Sequence, residues 1–180
     1  MFYTLLDLLY VSFELANKGF LTRGGVSIGK LIHNSEYIFG PALVEAYETE
    51  SKKANFPRII VNKDVIKNGL DFRKNINSEK DENESIMNLL SMDDDGLYYI
   101  DYITKSSSEF DDVEYGLYDY MESLRINFFL NYESEEEKTK LKLDWLKTKL
   151  NNHIRQIQKN IKNPIFSSEI VEQYSNLKEI

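Results

Sequence analysis

The stretch that decides the fold reads Phe-Leu-Thr-Arg-Gly-Gly-Val-Ser-Ile-Gly-Lys at positions 20–30. Residues 20–33 predict an extended segment with one strongly apolar side, because side chains alternate between the two faces of a strand. One face carries Leu21, Arg23, Gly25, Ser27 and Gly29, and the other carries Phe20, Val26, Ile28 and Ile32. The glycines weaken such a strand unless another backbone or a ligand approaches it closely. This segment is therefore the first candidate for a binding site.

The residues before this stretch predict a helix that is buried around most of its circumference. One helical stripe contains Leu5, Leu8, Leu9, Ser12, Phe13 and Ala16. Gly19 suits the left-handed position that ends a helix. A signal peptide is disfavoured because the basic start and the small-residue cleavage site are missing, and Asp7 and Glu14 interrupt the run. A bilayer span needs about 20 mostly apolar residues, which this segment does not offer.

The residues after the stretch predict a hairpin, a helix and a strand. Residues 33–36 are typical of a turn that leads into a short strand at 37–39. Gly40-Pro41 starts a helix that is predicted to run to about Ala54, with Leu43, Ala46, Tyr47 and Glu50 on one side. Residues 58–61 predict a short buried strand. This order indicates an α+β sandwich with helices on one face of a mostly antiparallel sheet.

The second half of the chain predicts one more strand and a helical tail. Residues 74–85 are polar and charged and predict a mobile insertion. The turn signal at 93–96 introduces a strand at 97–103. Helices are predicted at 113–132, at 135–159 after an N-cap at Ser134, and at 167–177. We therefore expect a sheet-containing domain at 1–110 and a helical C-terminal extension at 111–180.

Composition restricts the class of protein. The chain has 180 residues, a formal net charge of −8, 42% hydrophobic residues and no cysteine. Such a chain predicts one globular domain, excludes disulfides and thiol chemistry, and fits a reducing cytoplasm. The acidic balance disfavours sequence-independent nucleic-acid binding, which needs Lys and Arg to neutralise phosphates.

Residues 19–61 are similar to the C-terminal half of a class III nucleotide cyclase domain. In that family an arginine on a strand is followed by two glycines at the spacing of Arg23, Gly25 and Gly29, and the next element is a glycine-led helix, here starting at Gly40. Ala46, Glu50 and Ser51 match the usual pattern of that helix, and residues 57–61 suit the following strand. The chain resembles most the divergent bacterial members, including the pyrimidine cyclases of antiphage Pycsar systems. Their relatives also carry a helical C-terminal tail.

This resemblance implies a partial ferredoxin-like cyclase sandwich and a lyase activity. Class III cyclases convert a nucleoside triphosphate to a 3′,5′-cyclic nucleotide and pyrophosphate, as homodimers, with Mg²⁺ or Mn²⁺ held by two aspartates. The implied nucleotide- or phosphate-proximal residues are Arg23, Gly25, Gly29 and Lys30. The implied dimer or structural residues are Gly40, Val44, Glu48 and Arg58. The base of the nucleotide cannot be assigned from the sequence.

The sequence departs from the family pattern at the positions that carry the catalytic residues. Both metal aspartates of the family precede the helix that corresponds to residues 1–18, so no metal ligand is identified, and Asp7 is not one. Val44 and Glu48 stand where purine cyclases carry an asparagine and an arginine. Whether this chain alone is an enzyme is therefore left open, and we expect it to be inactive by itself.

Three explanations of this departure stay open. The chain is a fragment or begins at a wrongly chosen start, or it is a short, catalytically inert dimerisation or regulatory module, or it shares the fold alone. The first is favoured because half a sheet leaves an exposed edge and an incomplete core.

Several single residues have a functional and a structural interpretation. Arg23 and Lys30 suit phosphate contacts, and Arg23 equally suits a structural ion pair. Arg58 favours structural pairing with an acid, and His33 favours a solvated turn. The acidic run 93–96 predicts a turn, because the glutamate that a calcium loop needs at its twelfth position is missing.

Overall fold

The computed structural model describes residues 1–73, 78–106, 113–132, 136–161 and 167–180, with backbone alone at 113–115. The elements in chain order are α1 (Phe2–Asn17), β1 (Gly24–Val26), β2 (Ile32–His33), β3 (Ile38–Phe39), α2 (Pro41–Lys52), β4 (Ile59–Val61), α3 (Lys63–Asp71), α4 (Glu79–Met87), β5 (Leu90–Met92), β6 (Tyr98–Ile100), α5 (Val113–Tyr132), α6 (Glu137–Asn160) and α7 (Ser168–Ser175). The predicted α+β class is confirmed.

The strands form a four-stranded sheet and a separate hairpin. The sheet order is β1-β4-β6-β5, and β2 pairs with β3 in the hairpin. β1 runs parallel to β4, whereas β4 with β6 and β6 with β5 are antiparallel. The sheet is therefore mixed, and β1 lies at its edge.

Helices cover both faces of the sheet, so the prediction of helices on one face is wrong. Val61 and Ile100 point into a core cluster with residues of α1, α3 and α4. Ile60 and Tyr99, their neighbours along the strands, point into a second cluster with residues of α5 and α6. Adjacent strand residues face opposite sides. The sheet is thus buried on both sides, and the helical tail shares its core.

α1 is a helix with one buried stripe. Leu5, Leu9, Ser12, Phe13 and Ala16 are buried, as the spacing predicts. Burial around most of its circumference is wrong, because Tyr3 and Val11 are 69% and 52% exposed. The helix ends in a Schellman motif: the N–H of Gly19 donates to Ala16, the N–H of Phe20 donates to Leu15, and Gly19 has φ +87°.

The predicted strand at 20–33 is shorter than expected, and its apolar side is not uniformly buried. Only Gly24–Val26 and Ile32–His33 are strand, and Phe20 and Ile32 are 66% and 50% exposed. The predicted hairpin turn is confirmed, with the Asn34 side chain accepting hydrogen bonds from the N–H groups of Glu36 and Tyr37, each at 2.9 Å. The glycines and the turn interrupt the extended segment.

α2 is buried along a narrow side that differs from the side shared by Leu43, Ala46, Tyr47 and Glu50. Ala42 and Thr49 are its buried residues, while Leu43 and Tyr47 are 39% and 68% exposed. The sheet edge that faces α2 is made of glycine, and only small residues fit against it. The larger side chains of the helix therefore turn outwards.

The second half of the chain differs from the prediction in three places. α3 and β5 were not predicted from the sequence. Within the predicted insertion, residues 79–85 belong to α4, while 74–77 lie outside the described residues. β6 is shorter than the predicted strand at 97–103, because Tyr102 and Ile103 belong to a turn. The three helices of the tail are confirmed, although the predicted N-cap Ser134 lies outside the described residues.

Candidate functional site

The open edge of β1 is the first part of the candidate site. The N–H of Gly24 donates to Arg58, and the C=O of Val26 accepts from Asn62. In a parallel pair the residues that bond to one neighbour alternate with those that face away. The backbone N–H and C=O of Gly25 therefore point away from β4. No strand among the described residues lies on that side.

Two of the three predicted glycines have a packing reason. A Cβ at Gly25 would lie 2.5 Å from the Ala46 carbonyl oxygen, so this glycine lets α2 approach the strand. A Cβ at Gly40, which has φ +150°, would lie 2.5 Å from the Lys30 carbonyl oxygen. A Cβ at Gly29 would meet Ala42 at an ordinary 3.5 Å, so no steric reason demands glycine there.

Arg23 and Lys30 flank β1 but differ in their contacts. Arg23 forms an ion pair with Glu50 of α2, which is the structural alternative predicted for it. Lys30 is exposed, and no ion pair of its side chain is found in the part of the chain that the structure describes. Its carbonyl accepts a hydrogen bond from the N–H of Ala42 at 3.3 Å.

A groove of about 370 Å³ runs around the edge of β1. Leu8 of α1 lines it on one face of the sheet, and Leu43 and Ala46 of α2 line it on the other. Leu31 and Ile38 of the hairpin region also line it. Because α1 and α2 cover opposite faces, a groove that touches both must pass the open strand edge. Gly24 and Gly25 line the groove with backbone atoms only, because glycine has no side chain.

The hairpin and α2 carry exposed apolar side chains on their outer sides, and on α2 the exposed Glu45 and Glu48 lie beside them. We define this outer surface by five apolar residues that do not line the groove: Ile32, Tyr37, Phe39, Val44 and Tyr47. Their exposed fractions run from 50% to 68%. Taking about 200 Å² for each large side chain when fully exposed, they present roughly 550 Å².

Val44 and Glu48, which stand where purine cyclases carry an asparagine and an arginine, both lie on α2. Val44 is 58% exposed on this outer surface. Glu48 is exposed and bonds Lys52 at 2.6 Å, one turn further along the helix. The hydrogen bond and the charge of Lys52 lower the pKa of Glu48. Neither residue is placed to act as a buried acid or base.

Arg58, the residue directly before β4, belongs to a buried network of charged side chains. Its guanidinium, which is fully buried, pairs with Asp93 and Asp95 of the β5–β6 turn. Lys149 of α6 bonds Asp93 at 2.7 Å, and the Trp145 indole N–H donates to the same carboxylate at 2.7 Å. This network attaches α6 to the sheet.

The network fixes the ionisation of Asp93. Burial acts to raise the pKa of this carboxyl, but hydrogen bonds from Lys149 and Trp145 outweigh it, so the pKa is lowered.

The run 93–96 forms a turn, as predicted, with the Gly96 N–H donating to the Asp93 carbonyl at 2.9 Å. The sequence offered no signal for the partnership with α6, which lies more than fifty residues away along the chain.

His153 of α6 is a half-buried residue that the sequence did not single out. Both ring nitrogens are inaccessible to solvent and have no hydrogen-bond partner among the described residues. Burial lowers the pKa of this imidazole, although the charge of Asp101 acts in the opposite direction. The ring is therefore neutral near pH 7.

The described residues do not fit the two-metal site that the resemblance implies. They contain no group of three or more His, Cys, Asp or Glu side chains that could hold a metal ion. Asp93 and Asp95, a close pair of carboxylates, are occupied by Arg58 and Lys149. No reaction step through Mg²⁺ or Mn²⁺ is therefore derived.

Comparison with known proteins gives no relative. No protein-family model, no curated protein and no solved structure matches this chain. Within the described ranges, no helix combines the length and the apolar character that crossing a bilayer requires. The cyclase resemblance of residues 19–61 therefore stays a prediction.

Proposed function

We propose that this chain is the self-associating part of a class III nucleotide cyclase-like domain, with the partial ferredoxin-like sandwich of that family. Two copies associate through the outer surface of the hairpin and α2. The complete domain converts a nucleoside triphosphate to a 3′,5′-cyclic nucleotide and pyrophosphate, in cytoplasmic signalling of the antiphage type. Neither nucleic acid nor a membrane is a partner in this proposal.

The observation that carries the proposal is the exposed apolar outer surface. Two copies that cover it bury roughly 1,100 Å² in total, which clears the ~1,000 Å² expected of a biological interface. A single β-hairpin with exposed Ile, Tyr and Phe side chains gains free energy from being covered, at about 25 cal/mol per Å² of apolar surface. The outer surface also contains Val44, one of the positions that the resemblance assigns to the dimer.

The association is tested by analytical ultracentrifugation. The double variant Val44→Lys, Tyr47→Lys places two charges on the outer surface, and we expect it to raise the dimer dissociation constant at least 100-fold. The matched control is Phe72→Lys, because Phe72 is 81% exposed at the end of α3 and lies outside that surface. A wild-type chain that stays monomeric at 100 µM, or equal affinities of both variants, overturns the proposed dimer.

The cyclase part of the proposal has a separate test. The chain alone is expected to form no cyclic nucleotide from ATP, GTP, CTP or UTP with Mn²⁺, because the described residues present no metal-binding group. The genomic frame upstream of Met1 is then read: an open frame encoding strands with two aspartates supports the cyclase, and an immediate stop codon removes the fragment explanation.

A further inference from the structure

We propose that Lys105 closes the β5 edge of the sheet and thereby prevents this chain from pairing strand to strand with a second copy of itself. This inference does not depend on the cyclase activity or on the dimer proposed above. It rests on the order of the strands, on the backbone groups that β5 turns outwards, and on the contacts of the Lys105 amine.

β5 is an edge strand, and its pairing shows which of its backbone groups face outwards. It pairs with β6 alone among the described strands. The N–H of Asp93, the residue after β5, donates to the C=O of Leu97 at 3.0 Å. In an antiparallel pair the residues that bond to the neighbouring strand alternate with those that face away. The N–H and C=O groups of Leu90 and Met92 therefore point away from β6.

An edge of this kind favours pairing with another chain. Unpaired N–H and C=O groups are a template for a further strand. Met92 is 61% exposed, so the edge also offers an apolar side chain. Antiparallel pairing of β5 with β5 is self-complementary, because both strands present the same groups across a two-fold axis. A second copy is therefore the partner that an open β5 edge would take.

The Lys105 amine occupies this edge. Its Nζ donates to the C=O of Leu90, which is one of the outward groups, and to the C=O of Met87 at the end of α4. The residue is half-buried, and its side chain forms no ion pair within the part of the chain that the structure describes. The amine is thus held over the backbone of the edge.

The positive charge makes this contact a barrier to strand pairing. The charge of Asp101 acts on the amine, but the carboxylate of Asp101 is bonded to Ser91 and Thr104. A strand that pairs with β5 must either displace the Lys105 amine from Leu90 or bury it without a paired acid. Burying an unpaired charge is costly, and lysine on an edge strand is one of the means by which proteins prevent edge-to-edge association.

The place of β5 in the sheet gives this contact a role in assembly. β5 and β1 lie at opposite ends of the strand order, and α2, which carries part of the outer surface, packs against β1. A molecule with one two-fold contact stops at a dimer, whereas a second, different two-fold contact joins dimers into open chains. By closing β5, Lys105 confines self-association to a single surface.

The experiment separates this edge from the proposed dimer. The double variant Val44→Lys, Tyr47→Lys is the background, because it removes the contact through the outer surface. Three substitutions are added to it: Lys105→Met removes the charge, Lys105→Arg keeps it, and Lys67→Met removes a charge from the exposed side of α3. In analytical ultracentrifugation we expect Lys105→Met to associate with a dissociation constant at least tenfold lower than the other two.

Two further measurements assign the association to β5. Hydrogen exchange at the N–H groups of Leu90 and Met92 should slow at least tenfold on association, since both point outwards in the monomer. Adding Met92→Lys to Lys105→Met returns a charge to the edge, so it should restore the monomer without restoring the urea-unfolding midpoint. If Lys105→Met is unfolded before urea is added, Lys105→Gln replaces it, because its amide is uncharged and still donates.

Each contrary result overturns the inference. If Lys105→Met stays as monomeric as Lys67→Met at 100 µM, or if Lys105→Arg associates equally, the charge does not close the edge. Association without slower exchange at Leu90 and Met92, or association that persists with Met92→Lys, places the contact elsewhere. The proposed dimer fails separately, because its test is the association of the wild-type chain.

Discussion

Replacing Asp93 by Asn tests the buried charge network most directly. The substitution keeps the shape of the side chain and removes the negative charge shared by Arg58 and Lys149. The Arg58 side chain is 0% exposed and that of Asp93 is 5% exposed, so water cannot replace the lost partner. Asp95 remains as a second partner of Arg58, but its own side chain is 41% exposed.

The expected cost follows from this burial. Removing one partner of a buried ion pair destabilises by about 3–5 kcal/mol, because the other charge is left uncompensated. A domain of this size has about 5–15 kcal/mol of stability and loses roughly 2–4 °C of melting temperature per kcal/mol. We therefore expect Asp93→Asn to lower the free energy of unfolding by about 3 kcal/mol and the melting temperature by about 10 °C.

The assay is urea unfolding followed by tryptophan fluorescence, since Trp145 donates to Asp93 and reports on the network. Asp94→Asn is the matched control, because this neighbouring side chain is exposed and its loss should cost under about 0.5 kcal/mol. In a double-mutant cycle with Lys149→Met, the two costs should not add. A cost below about 1 kcal/mol for Asp93→Asn, or strict additivity, refutes the reasoning.

The network also has a pH signature. The folded-state pKa of Asp93 is lowered from 3.8, so its contribution is present above that value and is lost as the pH falls further. Asp93→Asn should therefore lose less stability than wild type between pH 5 and pH 2. If the variant lost as much stability as wild type between pH 5 and pH 2, the role of the Asp93 charge would be contradicted.

Three further predictions concern other positions. Gly25→Ala should cost about 1–3 kcal/mol in urea unfolding, because its Cβ meets the α2 backbone at 2.5 Å, whereas Gly24→Ala meets only Ile59 and should be neutral or stabilising. His153 has a lowered pKa, so the unfolded chain takes up a proton that the folded ring does not; the unfolding free energy should fall as the pH drops below about 6.5, and His153→Met should flatten that slope. Gly19→Ala should lower the melting temperature, at a cost of about 1–2 kcal/mol, because Gly19 has φ +87°; an unchanged melting temperature would rule out the strain.

Local signals in the sequence predicted the elements that depend on neighbouring residues. The stripe on α1, the left-handed Gly19, the Asn34 turn and the Gly40-Pro41 helix start each rest on contacts within a few positions. The limits of the tail helices followed from the same kind of periodicity. These features are decided by backbone geometry and capping, which short stretches encode.

What could not be predicted depends on distant partners. The orientation of α2 is decided by the missing side chain at Gly25, which admits Ala46 and Thr49 and turns Tyr47 outwards. The partners of Arg58 come from a turn and from a helix far along the chain. α3 differs from these, because its signal is local: Asn62 precedes the helix, and the apolar pair Val65 and Ile66 lies on its buried side.

Of the four residues that the sequence predicts beside a phosphate, Gly25 lines the groove, whereas Arg23, Gly29 and Lys30 do not. Arg23 pairs with Glu50, and Gly25 lets α2 pack closely against the strand. An alternating strand pattern indicates which residues share a face. It does not indicate whether a ligand, a helix or another strand covers that face.

The attachment of α6 to Asp93 has a consequence for synthesis on the ribosome. Arg58 and the sheet emerge long before Trp145 and Lys149, which complete the charge network. Until α6 has been translated, the face of the sheet that carries Ile60 and Tyr99 lacks its cover. The nascent chain therefore exposes apolar surface for most of its translation, the condition under which chaperones bind. Ribosomes stalled before residue 145 should accordingly display a chain more sensitive to protease than the released protein.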